Sequence, residues 1–179
     1  MKNLFYLLLF AVLFVSFFGC NNNNDNVNEA WRTANTNAYD SIAKLSDYHA
    51  LQTTDKTGPT GVYYKIIQSG AGTVHPLQTS EVKVLYQGTY YDQKTFFDKG
   101  TGQSGEPTTL PLFGTNVIRG FSFALQQMVV GDKWEIWIPY YLGYGATGLI
   151  SQTTYQTLIQ GYTTLVFTVE LVDITLYPK

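Results

Sequence analysis

The chain has few of the side chains on which most catalytic and metal sites depend. Its 179 residues include one cysteine, Cys20, and two histidines, His49 and His75. A disulfide therefore cannot form within the chain, and no convincing zinc site or Cys-His nucleophilic pair can be assembled. The GAG segment at 70–72 lacks the spacing of a phosphate-binding loop, so it predicts a turn.

Charge is scarce as well. Charged residues make up 13% of the chain, the formal net charge is −2, and Lys and Arg form no cluster. This composition argues against a nucleic-acid-binding protein, which needs a basic surface. Aromatic residues are abundant instead, at 16%, and such residues favour strands in a globular protein over a disordered chain.

The N-terminus has the pattern of an export signal. Residues 1–19 contain one lysine, then an apolar run, then a small residue directly before Cys20. This arrangement resembles the lipobox of bacterial lipoproteins, although Phe17 and Phe18 depart from its usual residues. The resemblance implies cleavage before Cys20 and a lipid on its thiol. The alternative is a transmembrane anchor, for which the run at 4–19 is shorter than the roughly 20 residues that a span needs.

The sequence predicts four parts along the chain. Residues 1–19 are a lipoprotein signal peptide, and 20–28 hold the lipidated cysteine and an asparagine-rich flexible spacer. Residues 29–56 are an amphipathic helix, and 57–179 are the folded domain that follows a turn-rich boundary. We therefore expect a lipid-anchored protein of the bacterial cell envelope, on the outer membrane facing the periplasm, with surface exposure as the alternative.

Apolar residues recur every three or four positions in the predicted N-terminal helix. They are Val27, Trp31, Ala34, Ala38, Ile42, Leu45 and Tyr48. Such a face must be buried, and three covers are open: the chain's own domain, a second copy in a homodimer, or a client protein.

Beyond the boundary, the pattern is that of strands with one helix among them. Short apolar or alternating segments rich in Val, Ile, Tyr, Phe and Thr are separated by Gly, Pro, Asn and Asp. One face of the predicted helix carries Ile118, Phe121, Leu125 and Met128. Gly131 and Asp132 then end it as a turn. The predicted fold class is α+β, with an antiparallel sheet wrapped around this short helix.

Six motifs follow one another in the predicted domain. They are VLYQG at 84–88, FFDKG at 96–100, LPLFGTNVIRGF at 110–121, LQQMVVGDKWEIWIP at 125–139, LGYGATG at 142–148 and TLVFTVELVDI at 164–174. In this order and spacing they resemble the FK506-binding protein family of peptidyl-prolyl cis-trans isomerases, over residues 62–177. The resemblance implies the same fold, isomerase activity without metal or cofactor, and binding of proline-containing polypeptides and of FK506-like macrolides.

The resemblance also implies a hydrophobic pocket that receives a prolyl ring. Carried over position by position, it consists of Tyr86, Phe97, Asp98, Leu110, Val117, Ile118, Phe121, Tyr144 and Phe167. Ile159 is added by spacing alone. The members expected to act on the peptide bond are Tyr86, Asp98, Ile118 and Tyr144. The backbone N–H of Ile118 and the Tyr144 hydroxyl would hold carbonyl groups of the substrate.

Asp98 has two interpretations within this pocket. Its carboxylate polarises the substrate carbonyl carbon, or it accepts a hydrogen bond that orders Tyr86. The second is favoured, because a buried charge needs a partner and Tyr86 is the nearest donor in the motifs.

Two features depart from the family pattern. The floor of the pocket is usually Trp, whereas Phe121 is smaller and lacks the indole N–H, so we expect a deeper pocket. The segment at 149–162 reads as a longer loop without proline. In relatives this loop overhangs the pocket, so both departures bear on substrate preference.

Isomerisation asks little of a protein chemically. The barrier of about 18–20 kcal/mol is mostly lost amide conjugation, so a site has only to favour the twisted amide over the planar one. An apolar pocket does this by stripping water from the polar planar form. Two alternatives remain: a proline-binding chaperone of the same fold with little catalysis, and a purely structural surface lipoprotein.

Overall fold

The structure is a computed structural model that describes residues 23–53, 58–98, 100, 105–114 and 117–176. The predicted signal peptide and Cys20 lie outside these residues. Within them, no helix has the length and apolar character needed to cross a membrane.

The described residues form two α-helices, one 3-10 turn and nine strands. The helices are α1 (Asn23–Ile42) and α2 (Arg119–Leu125), and the 3-10 turn is Tyr140–Leu142. The strands are β1 (His49–Gln52), β2 (Pro59–Gln68), β3 (Glu81–Thr89), β4 (Phe96–Asp98), β5 (Thr108–Pro111), β6 (Lys133–Ile138), β7 (Gly148–Ile150), β8 (Thr157–Gln160) and β9 (Leu165–Leu176).

Seven of these strands form one antiparallel sheet. Its order is β1-β2-β6-β9-β3-β4, and β5 also pairs with β3. β9 lies in the middle, between β6 and β3, and β7 and β8 form a separate hairpin. This arrangement confirms the predicted α+β fold.

α2 packs on one face of the sheet, which we call the inner face. Its residues Ala124 and Leu125 are fully buried there in the main core. Gly120 permits the close approach of the helix, because a Cβ at this position would clash with Cγ2 of Ile138 in β6. α2 is thereby held directly under the central strands.

α2 is shorter than the sequence pattern predicts. It ends at Leu125, and Met128 is fully buried but lies in the turns that follow. The Asp132 carboxylate organises this segment, since it accepts hydrogen bonds from the N–H groups of Val129 (2.8 Å) and Gly70 (2.7 Å). Asp132, which the sequence identified only as the end of the helix, therefore stabilises the turn through its side chain.

α1 packs on the opposite, outer face of the same sheet. Ile42 is buried against Trp137 of β6 and Val166 of β9, with Ala38 and Tyr48 beside them. Of the three covers that the sequence left open for this apolar face, the structure shows the chain's own domain. The homodimer through this helix stays a prediction.

The predicted boundaries of this region were wrong at three points. α1 begins at Asn23, inside the predicted spacer at 20–28, because even a weak helix former such as asparagine costs less than about 1 kcal/mol when it extends a turn that has already formed. It ends at Ile42 and does not continue to 56: Leu45 is 50% exposed, and β1 pairs with β2. The sheet therefore begins at His49, before the predicted start of the domain at 57.

Candidate active site

A cavity of about 370 Å³ opens between α2, the inner face of the sheet and the β7–β8 hairpin. All ten residues predicted for the pocket line it: Tyr86, Phe97, Asp98, Leu110, Val117, Ile118, Phe121, Tyr144, Ile159 and Phe167. Leu149 and Leu158 line it as well and were not predicted. The structure thus brings together residues that the sequence spreads over more than eighty positions.

Phe121 forms the floor from the first turn of α2. The chain enters this helix through Ile118, whose backbone is extended (φ −62°, ψ 146°), so that Val117 and Ile118 lie at the side of the cavity. One turn further on, the Phe121 ring packs edge-on against Phe167, with centroids 4.9 Å apart, and is 4% exposed. The base of the cavity is therefore aromatic and apolar.

Phe97 of β4 forms a wall next to Phe167, with ring centroids 5.3 Å apart. Gly88 of β3 makes this approach possible. A Cβ at Gly88 would lie 2.5 Å from Cζ of Phe97 and 3.0 Å from Cε1 of Phe167. The glycine of the VLYQG motif is therefore required by the pocket, a role that the sequence reading did not assign to it.

Tyr86 and Asp98 are joined by a hydrogen bond at the edge of the cavity. The Tyr86 hydroxyl donates to Oδ2 of Asp98 (3.1 Å), and the backbone N–H of Gly100 donates to Oδ1 (2.7 Å). Burial, followed by the negative charge of Asp98, raises the pKa of Tyr86 to about 12. The bond is the one required by the favoured interpretation, in which Asp98 orders Tyr86.

Two hydrogen-bond donors at the cavity have no partner among the described residues. They are the hydroxyl of Tyr144, which follows the 3-10 turn, and the backbone N–H of Ile118. Burial and the charge of Asp98 raise the pKa of Tyr144, so its hydroxyl keeps its proton at neutral pH. Both groups are free to donate to carbonyl oxygens of a bound peptide.

The β7–β8 hairpin forms the roof, so the segment at 149–162, expected to be a longer loop, contains two short paired strands. Leu149 pairs with Ile159, and both side chains face the cavity. The sequence did not predict these strands, because each is short and the polar turn between them is long. Leu158, which is 54% exposed, extends the apolar lining to the rim.

Comparisons with known proteins agree with this geometry. The sequence profile of the FKBP-type peptidyl-prolyl cis-trans isomerases matches residues 72–172, which is more than half of the chain. The chain belongs to this family. The matched segment runs from the turn before β3 into β9, and so includes every pocket residue named above.

Curated FKBP-type relatives are similar over most of this chain. The FKBP-type 22 kDa peptidyl-prolyl cis-trans isomerase of Escherichia coli is 39% identical over 115 residues, which are 64% of this chain and 50% of the relative. FkpA of Escherichia coli is 35% identical over 145 residues, 79% of this chain and 49% of the relative. The chain spans about half the length of these relatives.

Solved FKBP-type structures have the same architecture. The crystal structure of a peptidyl-prolyl cis-trans isomerase from Pseudomonas syringae superimposes with a TM-score of 0.65 at 28% identity, covering 83% of this chain and 96% of that one. The crystal structure of FkpA from Escherichia coli superimposes with a TM-score of 0.66 at 27% identity, covering 86% and 63%. The helix, sheet and pocket described above thus lie in an FKBP-like fold.

The FKBP-type site of this chain can desolvate an amide and hold its carbonyl groups. Phe97, Phe121 and Phe167 exclude water from whatever ring lies between them, and the two donors without a partner among the described residues suit a carbonyl ligand. His, Cys, Asp and Glu form no group of three that could hold a metal ion within the part of the chain that the structure describes.

Proposed function

We propose that this FKBP-type chain is a peptidyl-prolyl cis-trans isomerase that assists the folding of exported proteins at the cell envelope. The observation that carries the proposal is an aromatic-floored cavity with two donors at its edge, Tyr144 Oη–H and the Ile118 N–H, that have no partner among the described residues. Its lining is complete at every position that the family resemblance names.

The prolyl ring lies on Phe121, between Phe97 and Phe167. Burial removes water from the carbonyl oxygen of the residue before proline, and the planar amide loses more by this than the twisted one, because it is the more polar. The Ile118 N–H and the Tyr144 hydroxyl hold carbonyl groups of the peptide while the bond rotates. No bond is broken, and each 1.4 kcal/mol by which the twisted form is favoured gives about a tenfold acceleration.

Asp98 acts through Tyr86 in this account. Its carboxylate accepts the Tyr86 hydroxyl, and the Gly100 N–H holds the carboxylate in place. Tyr86 then presents its ring to the cavity in one orientation, 5.9 Å from the Phe121 ring.

The cavity and its rim bear on substrate preference. Phe121 leaves more depth than a Trp floor, and Leu149 and Leu158 offer an apolar surface beside the proline site. Apolar residues next to proline are therefore the preferred substrates, and FK506-like macrolides are expected competitors.

The place of action rests on the N-terminal sequence. The export signal at 1–19 and the cysteine that follows it support lipid attachment at Cys20, with the protein on the outer membrane facing the periplasm. Surface exposure is the alternative. Metabolic labelling with a fatty acid tests the anchor: label is expected on the native chain and is lost in Cys20→Ala.

An isomerase assay tests the activity. We expect the purified chain to accelerate cis-trans exchange of short peptides that vary the residue before proline, and FK506 to abolish the acceleration. Tyr144→Phe removes a donor that is free in the structure, and Phe97→Ala removes a wall. Each should lower kcat/KM, by about tenfold or more for the loss of the Phe97 ring. A folded chain without acceleration on any peptide would contradict the proposal.

A second candidate is a proline-binding chaperone with little catalysis. The observation that favours it is the exposed apolar hairpin, where Ile150, Leu158 and Tyr155 are 38%, 54% and 83% exposed. Such side chains suit an unfolded client. Unchanged suppression of client aggregation by Tyr144→Phe, in a chain that has lost turnover, would support this second function.

A further inference from the structure

α1 touches three segments of the chain that lead into the walls of the pocket. The first is the turn between β3 and β4. The ring of Trp31 packs edge-on against Tyr90, at 5.7 Å between centroids, and against Tyr91, at 5.8 Å. Phe97 and Asp98 follow this turn in β4.

The second segment is the turn between β8 and β9. Trp31 Nε1–H donates to Thr163 Oγ1 (3.2 Å), and the side chain of Gln160 donates to Asn28 Oδ1 (2.9 Å). The guanidinium of Arg32 lies over the ring of Tyr162, 4.8 Å from its centroid. Gln160 directly follows Ile159 of the cavity roof.

The third segment is the start of β9. Asn35 is fully buried. Its side-chain Oδ1 accepts a hydrogen bond from the backbone N–H of Thr164 (2.8 Å), and its backbone carbonyl accepts one from the Thr164 hydroxyl (3.2 Å). Phe167 lies three residues further along this strand. One short stretch of α1 thus contacts the segments that carry Phe97, Ile159 and Phe167.

A continuous series of ring contacts joins Trp31 to the floor. Tyr90, which Trp31 supports, packs on Phe97 with centroids 5.5 Å apart. Phe97 contacts Phe167 at 5.3 Å, and Phe167 contacts Phe121 at 4.9 Å. Each pair is tilted or edge-to-face, the arrangements in which aromatic pairs attract.

Phe97 depends on these neighbours because its own strand holds it weakly. β4 has three residues at the edge of the sheet and pairs with β3 at two positions, with an irregular register between them. Across from it, Gly88 offers no side chain. The Phe97 ring is therefore held between Phe167 on one side and Tyr90 on the other.

We infer that Trp31 is a positioning residue of the isomerase pocket, which holds the Phe97 wall through Tyr90 and the roof through Thr163. The inference rests on the proposed function for its kinetic readout. It assigns to α1 a part in substrate binding, although α1 lies on the face of the sheet opposite to α2.

Three variants of the full chain separate positioning from simple stabilisation. Trp31→Ala removes the ring from Tyr90, whereas Trp31→Phe keeps a smaller aromatic ring there and loses the Nε1–H bond to Thr163. Ile42→Ala is the matched control, because Ile42 secures α1 on Trp137 and Val166 and lies outside the ring series. All are measured at a temperature at which circular dichroism shows each variant fully folded.

The kinetic expectation is a change in KM more than in kcat, because a wall contacts the prolyl ring in the ground and transition states alike. Trp31→Ala should raise KM by about 2- to 12-fold, the equivalent of one aromatic contact. Trp31→Phe should have a KM close to that of the native chain. Ile42→Ala should lower the melting temperature and leave KM unchanged. An unchanged KM in folded Trp31→Ala, or an equal rise in Ile42→Ala, would overturn the inference.

Binding gives a readout that does not need turnover. The dissociation constant of an Xaa-Pro peptide, from an NMR titration, should follow the same order among the three variants. The Phe97 ring signals should shift in Trp31→Ala and stay in place in Ile42→Ala. A native chain without turnover defeats the proposed function alone, whereas an active native chain whose Trp31→Ala variant binds peptide equally well defeats the inference alone.

Discussion

The two faces of the sheet bury aromatic side chains in different ways. On the inner face, rings from β3, β4, β9 and α2 meet edge-on and enclose a cavity of about 370 Å³. On the outer face, α1 closes directly over Trp137 and Val166. The same strands supply both faces, so the difference comes from what covers them: seven residues of α2 on one side and twenty of α1 on the other.

Polar groups are distributed just as differently. On the outer face, Oε1 of Glu135 accepts hydrogen bonds from the Tyr48 hydroxyl (2.5 Å), Trp137 Nε1–H (2.8 Å) and the Gln93 side chain (2.9 Å). On the inner side, the donors of Tyr144 and Ile118 have no partner among the described residues. A covering face satisfies its own donors, whereas a binding face leaves some for a ligand.

The largest effect is expected when the inner core is opened. Leu125→Ala leaves a cavity under the sheet, since Leu125 is fully buried, and should lower the free energy of unfolding by about 2–5 kcal/mol. Urea denaturation followed by circular dichroism measures it. Leu45→Ala, at a half-exposed position, should change it by no more than about 0.5 kcal/mol. Equal losses in the two variants would contradict the assignment of the core.

Asn35 tests how the outer cover is attached. Asn35→Leu leaves the buried N–H of Thr164 without its acceptor and should cost about 1–3 kcal/mol. Hydrogen exchange of the Thr164 amide should become faster, while Asn37→Leu, at an exposed position, should leave it unchanged. A Thr164 amide that stays protected in Asn35→Leu would show that this bond does not hold α1.

Two tryptophans of β6 compare the faces within one strand. Trp137→Phe loses the bond to Glu135 on the outer face and should cost about 1–2 kcal/mol. Trp134, on the inner face, stacks on Tyr64 at 4.4 Å, and its buried Nε1–H has no partner among the described residues. Trp134→Phe should therefore change the free energy of unfolding by less than Trp137→Phe. The reverse order in thermal melts would contradict the comparison.

The smallest expected effect is a loss of folding stability at high pH. Burial is the leading cause that raises the pKa of Tyr86 on the inner face, and of Tyr48 on the outer face, to about 12 from 10.0. Below pH 10 both the folded and the unfolded chain keep these protons. Between pH 10 and about 12 the unfolded chain loses them first, so stability should fall.

Thermal melts from pH 8 to pH 12 measure the slope of stability against pH. Tyr86→Phe and Tyr48→Phe should each reduce it, because each removes one group that titrates differently in the two states. A slope unchanged by both substitutions would show that other groups cause the loss.

The pocket could be predicted from the sequence because its motifs lie in short segments whose local backbone places the side chains. The spacing of Phe121 and Leu125, for example, is enough to put both on the buried face of α2. Gly88 was not assigned, since its role is the absence of a side chain against Phe97, and only the packed structure shows that gap.

Long-range pairing explains what the sequence could not predict. Asn35 looks like a solvated helix residue, and its burial depends on Thr164, 129 positions away. Leu45 and Tyr48 continue the helical spacing, yet the pairing of β1 with β2 ends the helix before them. The strands of the β7–β8 hairpin likewise depend on a distant contact, because Leu149 and Ile159 pack over the cavity.

The most direct test of the account is an NMR experiment on the isotope-labelled chain with an Xaa-Pro peptide in excess. We expect exchange cross-peaks between the cis and trans peptide that vanish without the protein. The perturbed protein amides should cluster at the inner-face pocket, around Ile118 and Gly88, and spare Thr164 under α1. Absent exchange, or perturbations centred on the outer face, would contradict the assignment of this pocket as the isomerase site.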